Sequence, residues 1–173
     1  VISNRSKPKV NFSTTLDEPR LKEIRNSMVV DFSIKKSHTS KKFNDENVFE
    51  VKRFFYDDQE PRYIARGQVL TSAVPELSEK VFSLQKFNHA SLSEILVNKF
   101  NFKIYNQKIT SNSIILTKEE ADFFQVSQNS AATKWVSFFF DKDQHLLLID
   151  TEISLKKIYI DLIYKDFNNN EEI

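Results

Sequence analysis

The run Ser91-Leu-Ser-Glu94-Ile-Leu-Val-Asn-Lys-Phe100, then Phe102 to Leu116, Thr117-Lys-Glu-Glu120-Ala-Asp-Phe-Phe124 and Gln125-Val-Ser-Gln-Asn129-Ser130, decides the fold. Leu92, Ile95, Leu96 and Phe100 recur at helical spacing and form one apolar stripe, so the first segment reads as an amphipathic helix. Ser91 with Glu94, and Thr117 with Glu120, have the spacing of capping boxes, in which two main-chain N–H groups gain side-chain acceptors. Phe102 to Leu116 reads as extended. Thr117 to Phe124 reads as a second short helix, and Gln125 to Ser130 leads back into a strand at Trp135 to Phe140.

On the N-terminal side, Val48 to Tyr56 is rich in β-branched and aromatic residues, as a strand requires. Asp57-Asp-Gln-Glu60-Pro61 is its turn, and Arg62 to Leu70 its antiparallel partner. On the C-terminal side, Trp135 to Phe140, Asp141-Lys-Asp-Gln144 and Leu146 to Leu155 repeat the scheme. The wording is similar too, Phe54-Phe-Tyr-Asp-Asp against Phe138-Phe-Phe-Asp-Lys. Leu21 to Met28 reads as a short helix and Val29 to Ile34 as a strand with Val30, Phe32 and Ile34 on one face. Lys35 to Asn47 is a lysine-rich polar loop, and Ile158 to Tyr164 a last strand. Few helices among many hairpins imply an α+β domain built on a largely antiparallel sheet, with two or three short helices packed on it. Residues 1–28 are expected to be a polar arm and short helix, 29–166 the domain, and 167–173 a polar tail.

Composition narrows the function. With a net charge of +1 over 173 residues, the chain lacks the basic footprint of a nucleic-acid-binding domain. A single glycine cannot build a phosphate-cradling loop or a dinucleotide-binding turn, each of which needs several. Left-handed turn positions therefore fall to other residues, with Asn101, Asn129 and Asn168 to Asn170 the candidates. The absence of cysteine excludes disulfides and thiolate chemistry, and fits a cytoplasmic protein. His38, His89 and His145 are scattered without metal-ligand spacing, so neither a metal nor a cofactor is expected. No apolar run approaches the roughly 20 residues of a membrane span.

Lys52-Arg53-Phe-Phe-Tyr-Asp-Asp58-Gln-Glu60-Pro61, the Ser91-led helix ending at Phe100-Asn101, and Thr117 to Ser130 together resemble one family. It is the UTRA domain, the effector-binding half of one branch of the GntR family of bacterial transcription regulators, and a relative of chorismate lyase. The resemblance implies a chorismate-lyase-like fold and a cytoplasmic, homodimeric sensor of a small molecule, often a sugar phosphate. DNA would be bound only through a winged-helix domain absent from this sequence. The chain departs from the family pattern in having Gln59 and Asn129 for glycines, Phe55 for an arginine and Ala65 for a glutamate.

A phosphate or carboxylate wants arginine forks and free amides at a helix start. Arg53, Arg66 and Ser91 are the candidates for that role, and Asp150, Glu152 and Tyr159 for binding sugar hydroxyls. No catalytic residue is assigned. Each candidate has a simpler reading: a wet strand face for Arg53, a helix cap for Ser91, a polar outer face for Asp150 and Glu152, packing for Tyr159 and Trp135, and a β-bulge at Gly67. Two other functions compete. One is a ligand-free dimerisation module. The other is a chorismate-lyase-like enzyme, in which Arg66 would hold a carboxylate and Glu152 would act as the acid.

Overall fold

The computed structural model describes residues 26–36, 43, 46–84 and 87–155. The expected strand Ile158 to Tyr164, the site candidate Tyr159 and the Asn168 to Asn170 turn lie outside the described residues. In chain order the elements are β1 (Asn26–Lys36), β2 (Asn47–Asp57), β3 (Glu60–Leu70), a one-turn helix (Glu79–Val81), α1 (Leu92–Phe100), β4 (Asn106–Ile115), α2 (Lys118–Phe124), β5 (Ala131–Phe140) and β6 (Leu146–Ser154). The strands form one six-stranded sheet in the order β1-β2-β3-β6-β5-β4, and every pairing is antiparallel. Two three-stranded meanders thus meet at β3 and β6, with the repeated Phe-rich wording at the ends of their middle strands, β2 and β5. The fold is α+β with helices on an antiparallel sheet, as the sequence implies.

Both capping boxes form. The Glu94 amide donates to Ser91 Oγ and the Ser91 amide to Glu94 Oε2, each at 3.2 Å. In the second, the Thr117 amide donates to Glu120 Oε2 at 2.8 Å and the Glu120 amide to Thr117 Oγ1 at 3.4 Å. Such a cap stabilises a helix by about 1 kcal/mol. Asn101 ends α1 in the left-handed conformation with φ 56°. Asn129 does not take that role; Asp58, Gln125 and Gln144 do, with φ of 52°, 57° and 64°.

The strands also correct the sequence reading at their ends. β1 begins at Asn26, so Asn26 to Met28 are extended rather than helical. Lys35 and Lys36 belong to the same strand rather than to a loop. A bulge at Val30 separates Val29 from Asp31. It turns Val29 and Phe32 onto the core, while Val30 is exposed. β4 starts at Asn106, later than expected, and β5 at Ala131, earlier. β4 is exposed along most of its length, and its run of polar residues suits an edge strand.

Each face of the sheet has its own core. On one face α1 lays Leu92, Ile95 and Leu96 against Phe49, Val51, Val69, Leu148 and Phe139. Burial of one such side chain contributes roughly 1.5–3 kcal/mol. On the other face α2 brings Ala121, Phe123 and Phe124 against Ile64, Ala132 and Ile153. Lys52 on β2 meets Glu119 on α2 at 2.6 Å on that second face.

A bulge in the first hairpin sets which residues share a face. Phe55 pairs with Tyr63 and Tyr56 with Pro61, so Arg62 is an extra residue. Proline has no N–H to give the ladder and tolerates such a position. Beyond the bulge Arg53 stands opposite Ala65, and Arg66 opposite Lys52. Side chains alternate between faces along a strand, so Arg53 and Arg66 lie on opposite faces.

Candidate functional site

The α1 face has a polar centre. Arg53, Tyr63, Ala65, Gly67, Asp150 and Glu152 project from β2, β3 and β6 toward Ser91 and Leu92 at the start of α1, and with Val51 and Phe55 they enclose a small cavity. Its free volume is about 10 Å³, which holds about one water molecule. Of the site residues expected from sequence, Arg53, Ser91, Asp150 and Glu152 are brought together here. Arg66 is not: it is exposed on the other face, opposite Lys52 and Thr151.

Gly67 is what allows α1 to come this close. The ladders on both sides run through it without a register shift, so it is not a bulge. A Cβ there would stand 2.2 Å from Leu92 Cδ2. The missing side chain makes room for the helix start, a close approach of the kind strand glycines often mark.

Arg53 is buried, not on a wet face, with 2% of its surface exposed. Its guanidinium lies 4.5 Å from the ring centre of Phe55 and 5.1 Å from that of Phe82. Nη1 donates to the Ala90 carbonyl at 2.7 Å. Nη2 donates to the carbonyls of Asn88 at 2.9 Å and Phe87 at 3.2 Å, and to Ser27 Oγ at 2.6 Å. Ser27 in turn takes hold of Asn88, its hydroxyl donating to the carbonyl and its amide to Oδ1. Arg53 therefore pins the segment leading into α1 against β1 and β2. Its Nε is buried without a partner. Burial lowers its pKa to about 10, which still leaves a cation at neutral pH.

The acids behave differently from surface carboxylates. Asp150 and Glu152 lie two residues apart on β6 and share a face, as expected, but that face is the one covered by α1 rather than an outer one. Burial, helped by the nearby Glu152 charge, pushes Asp150 up to about 8. Burial also raises Glu152. Asp150 is thus largely protonated at neutral pH, and a neutral carboxyl group can donate as well as accept. Its Oδ1 has no partner. Tyr63, stacked on Phe55 with ring centres 4.3 Å apart, is held as a phenol far above neutrality by burial and then by Glu152.

Ser91 is the N-cap of α1 as well as part of the cavity wall. Tyr63 was not anticipated, although its two-residue spacing from Ala65 and Gly67 is a usable signal. Ser27 could not be anticipated, because it meets the site only through the β1–β2 pairing. The enzyme assignment to Arg66 and Glu152 fails geometrically. Glu152 pairs with Ala65 and Arg66 with Thr151, so the two side chains leave opposite faces.

Elsewhere, Asp141, Asp143 and His145 bring potential metal-ligating atoms within 4.8 Å of one another. This grouping belongs to the β5–β6 turn. Asp141 Oδ1 accepts the amides of Asp143 and His145, both at 2.8 Å.

No protein-family model matches the chain, and no curated protein sequence does. Solved structures do match. The effector-binding domain of the Bacillus subtilis trehalose repressor superposes with a TM-score of 0.67 at 15% identity, over 82% of this chain and 99% of that one. A GntR-family transcriptional regulator from Bacillus cereus gives 0.65 at 13% identity, over 83% and 99%. The C-terminal domain of the histidine utilization repressor from Pseudomonas syringae gives 0.64 at 9% identity, over 82% and 99%. At these identities the likeness concerns the fold. The chain has the α+β, UTRA-type fold of the effector-binding domains carried by GntR-family transcription regulators.

Proposed function

We propose that this chain is the ligand-sensing and dimerising part of a cytoplasmic GntR-type transcription regulator, with its effector site on the α1 face. A small polar molecule, with sugar phosphates the leading class, would bind among Arg53, Ser91, Asp150 and Glu152. DNA would be contacted by a winged-helix domain outside this sequence. One observation carries the reading: Arg53 Nε and Asp150 Oδ1 are buried at the cavity without partners. Native interiors rarely leave such groups unpaired, and each costs about 1–3 kcal/mol. Such groups suit a site completed by a ligand. The repressor domains of the same fold support the assignment.

A volume of about 10 Å³ requires the site to open before a sugar can enter. The segment held by Arg53, from Phe87 to Ala90, is the natural part to move, since it leads directly into Ser91 and Leu92 of the cavity wall. An effector that takes over Arg53 would free this segment and shift the start of α1. By linkage, it must bind the opened arrangement more tightly than the closed one to alter operator affinity.

A ligand-free dimerisation module is the second reading, and it too has an observation in its favour. Both terminal nitrogens of Arg53 are already satisfied by main-chain carbonyls and Ser27. Thermal unfolding against hexoses, hexose phosphates, phosphonates and inorganic phosphate separates the two. A ligand at 100 times its Kd stabilises by about 2.7 kcal/mol, which raises Tm by several degrees at this size. Such a rise supports the sensor. A stable dimer with no response to any of them leaves the dimerisation module.

A further inference from the structure

We infer that Trp135 forms the β5 wall of this site and receives a hydroxyl-bearing ring, such as the ring of a sugar. The inference rests on the reading that the cavity under α1 binds an effector, and it specifies which part of the effector lies where.

Trp135 stands opposite Glu152 in the β5–β6 ladder, and Glu152 stands opposite Ala65 in the β3–β6 ladder. The three therefore form a row across one face of the sheet, from the cavity wall outward. Directly opposed residues on neighbouring strands have Cβ atoms about 4.5–5.5 Å apart, so the indole borders the buried acids. The next row repeats the arrangement, with Ser137 opposite Asp150 and Asp150 opposite Gly67. Simple core packing does not account for Trp135, which is only half-buried while its Nε1 is buried without an acceptor.

The orphaned atoms define the ligand. The indole N–H needs an acceptor, and Asp150 Oδ1 needs a hydrogen-bond partner. A hydroxyl group serves either, since it donates one hydrogen bond and accepts two. Phosphate oxygens are suited to the N–H and to a protonated carboxyl group, but they offer the face of the indole nothing. A sugar ring supplies several hydroxyls at fixed spacing and a C–H face for the apolar indole. A phosphate, if the effector carries one, belongs at the other end, beside Arg53 and the start of α1.

Trp135 is the single tryptophan of the chain, so intrinsic tryptophan emission reports on this wall and nothing else. The intact chain is titrated with glucose, galactose, their phosphate monoesters and inorganic phosphate, with emission and thermal unfolding followed in parallel. A sugar or sugar phosphate that raises Tm is expected also to change the emission, whereas inorganic phosphate is not. Trp135→Phe, which keeps an aromatic ring and loses the N–H, is expected to weaken binding of that compound roughly three- to tenfold. A compound that raises Tm with emission unchanged and with equal affinity for the Phe variant overturns the inference and leaves the sensor reading standing. Stabilisation by inorganic phosphate alone does the same. If no sugar or sugar phosphate moves either signal at millimolar concentration, the hydroxylated-ring assignment falls. The emission readout uses the unaltered protein, so it stands even if the variant folds poorly.

Discussion

Arg53 and Arg66 sit on adjacent strands of one hairpin, yet they have opposite fates. Arg53 is buried under α1, where its guanidinium holds three carbonyls and Ser27 between two aromatic rings. Arg66 is exposed on the α2 face, among residues whose charges are met from the surface. There Glu50 accepts from Lys35 at 2.8 Å and from Gln68 at 2.7 Å, and Lys52 reaches Glu119. The α1 face instead keeps polar atoms in a buried interior, some without partners. Polar groups cost far more there than on a wet surface. A face that retains them at that cost is the better candidate for a ligand site.

Substitutions at the two arginines test this contrast most directly. Arg53→Ala leaves three buried carbonyls and Ser27 without their donor, and is expected to destabilise the domain by on the order of 3–4 kcal/mol. In a chain of this size that lowers Tm by about 10 °C, measurable by calorimetry. A loss within error would show that Arg53 does not pin the α1 segment.

Asp150→Asn sharpens the comparison through pH. The folded protein holds the Asp150 proton to about pH 8, whereas the unfolded chain releases it near the ordinary value of 3.8. The stability this group contributes is therefore fully present below about pH 3.8 and is lost as pH rises to about 8. Asparagine removes the titration. The variant should gain on the parent by roughly 2–3 kcal/mol between mildly acidic and mildly alkaline pH. Parallel Tm curves across that range would mean that Asp150 is not desolvated as described.

Gly67→Ala places a methyl group against Leu92, and is expected to cost about 1–2 kcal/mol. In a Leu92→Ala background most of that cost should vanish, a coupling that a double-mutant cycle reads directly. Arg66→Ala should be the quietest change, within about 0.5 kcal/mol, and should leave any ligand affinity unaltered. Loss of ligand binding in that variant would break the distinction between the two faces.

How much of this was legible in the sequence follows the range of the interactions. The capping boxes at Ser91 and Thr117 join residues three positions apart, and both read correctly. The β2–β3 and β5–β6 hairpins read correctly because their alternation and turns are local. Strand ends were less legible, as at Asn26, Asn106 and Ala131, because pairing partners rather than local preference decide where a ladder stops. Of the site, Asp150 and Glu152 share a face by simple alternation, which spacing alone implies. Their burial, the closeness of Arg53 and the place of Trp135 beside them come from β3, β5 and α1 packing around β6.

The sequence by itself determined most of the elements: the two hairpins, the capped helix starts at Ser91 and Thr117, and a turn within Asp57 to Pro61 that closes the first hairpin. Tertiary structure decided which face each side chain joins. Continued without a shift, the pairing of Asp57 with Glu60 would set Val51 opposite Arg66, and both arginines would face α1. The extra residue at Arg62 moves the register by one, so that Lys52 meets Arg66 instead. Because side chains alternate with period two, one added residue exchanges the faces of the strand beyond it. That shift turns Tyr63, Ala65 and Gly67 toward α1 and Arg66 away. Its energetic reason is non-local. The register that wins buries Ile64 against α2 and lets Leu92 settle over Gly67, contacts that form only when the distant helices arrive.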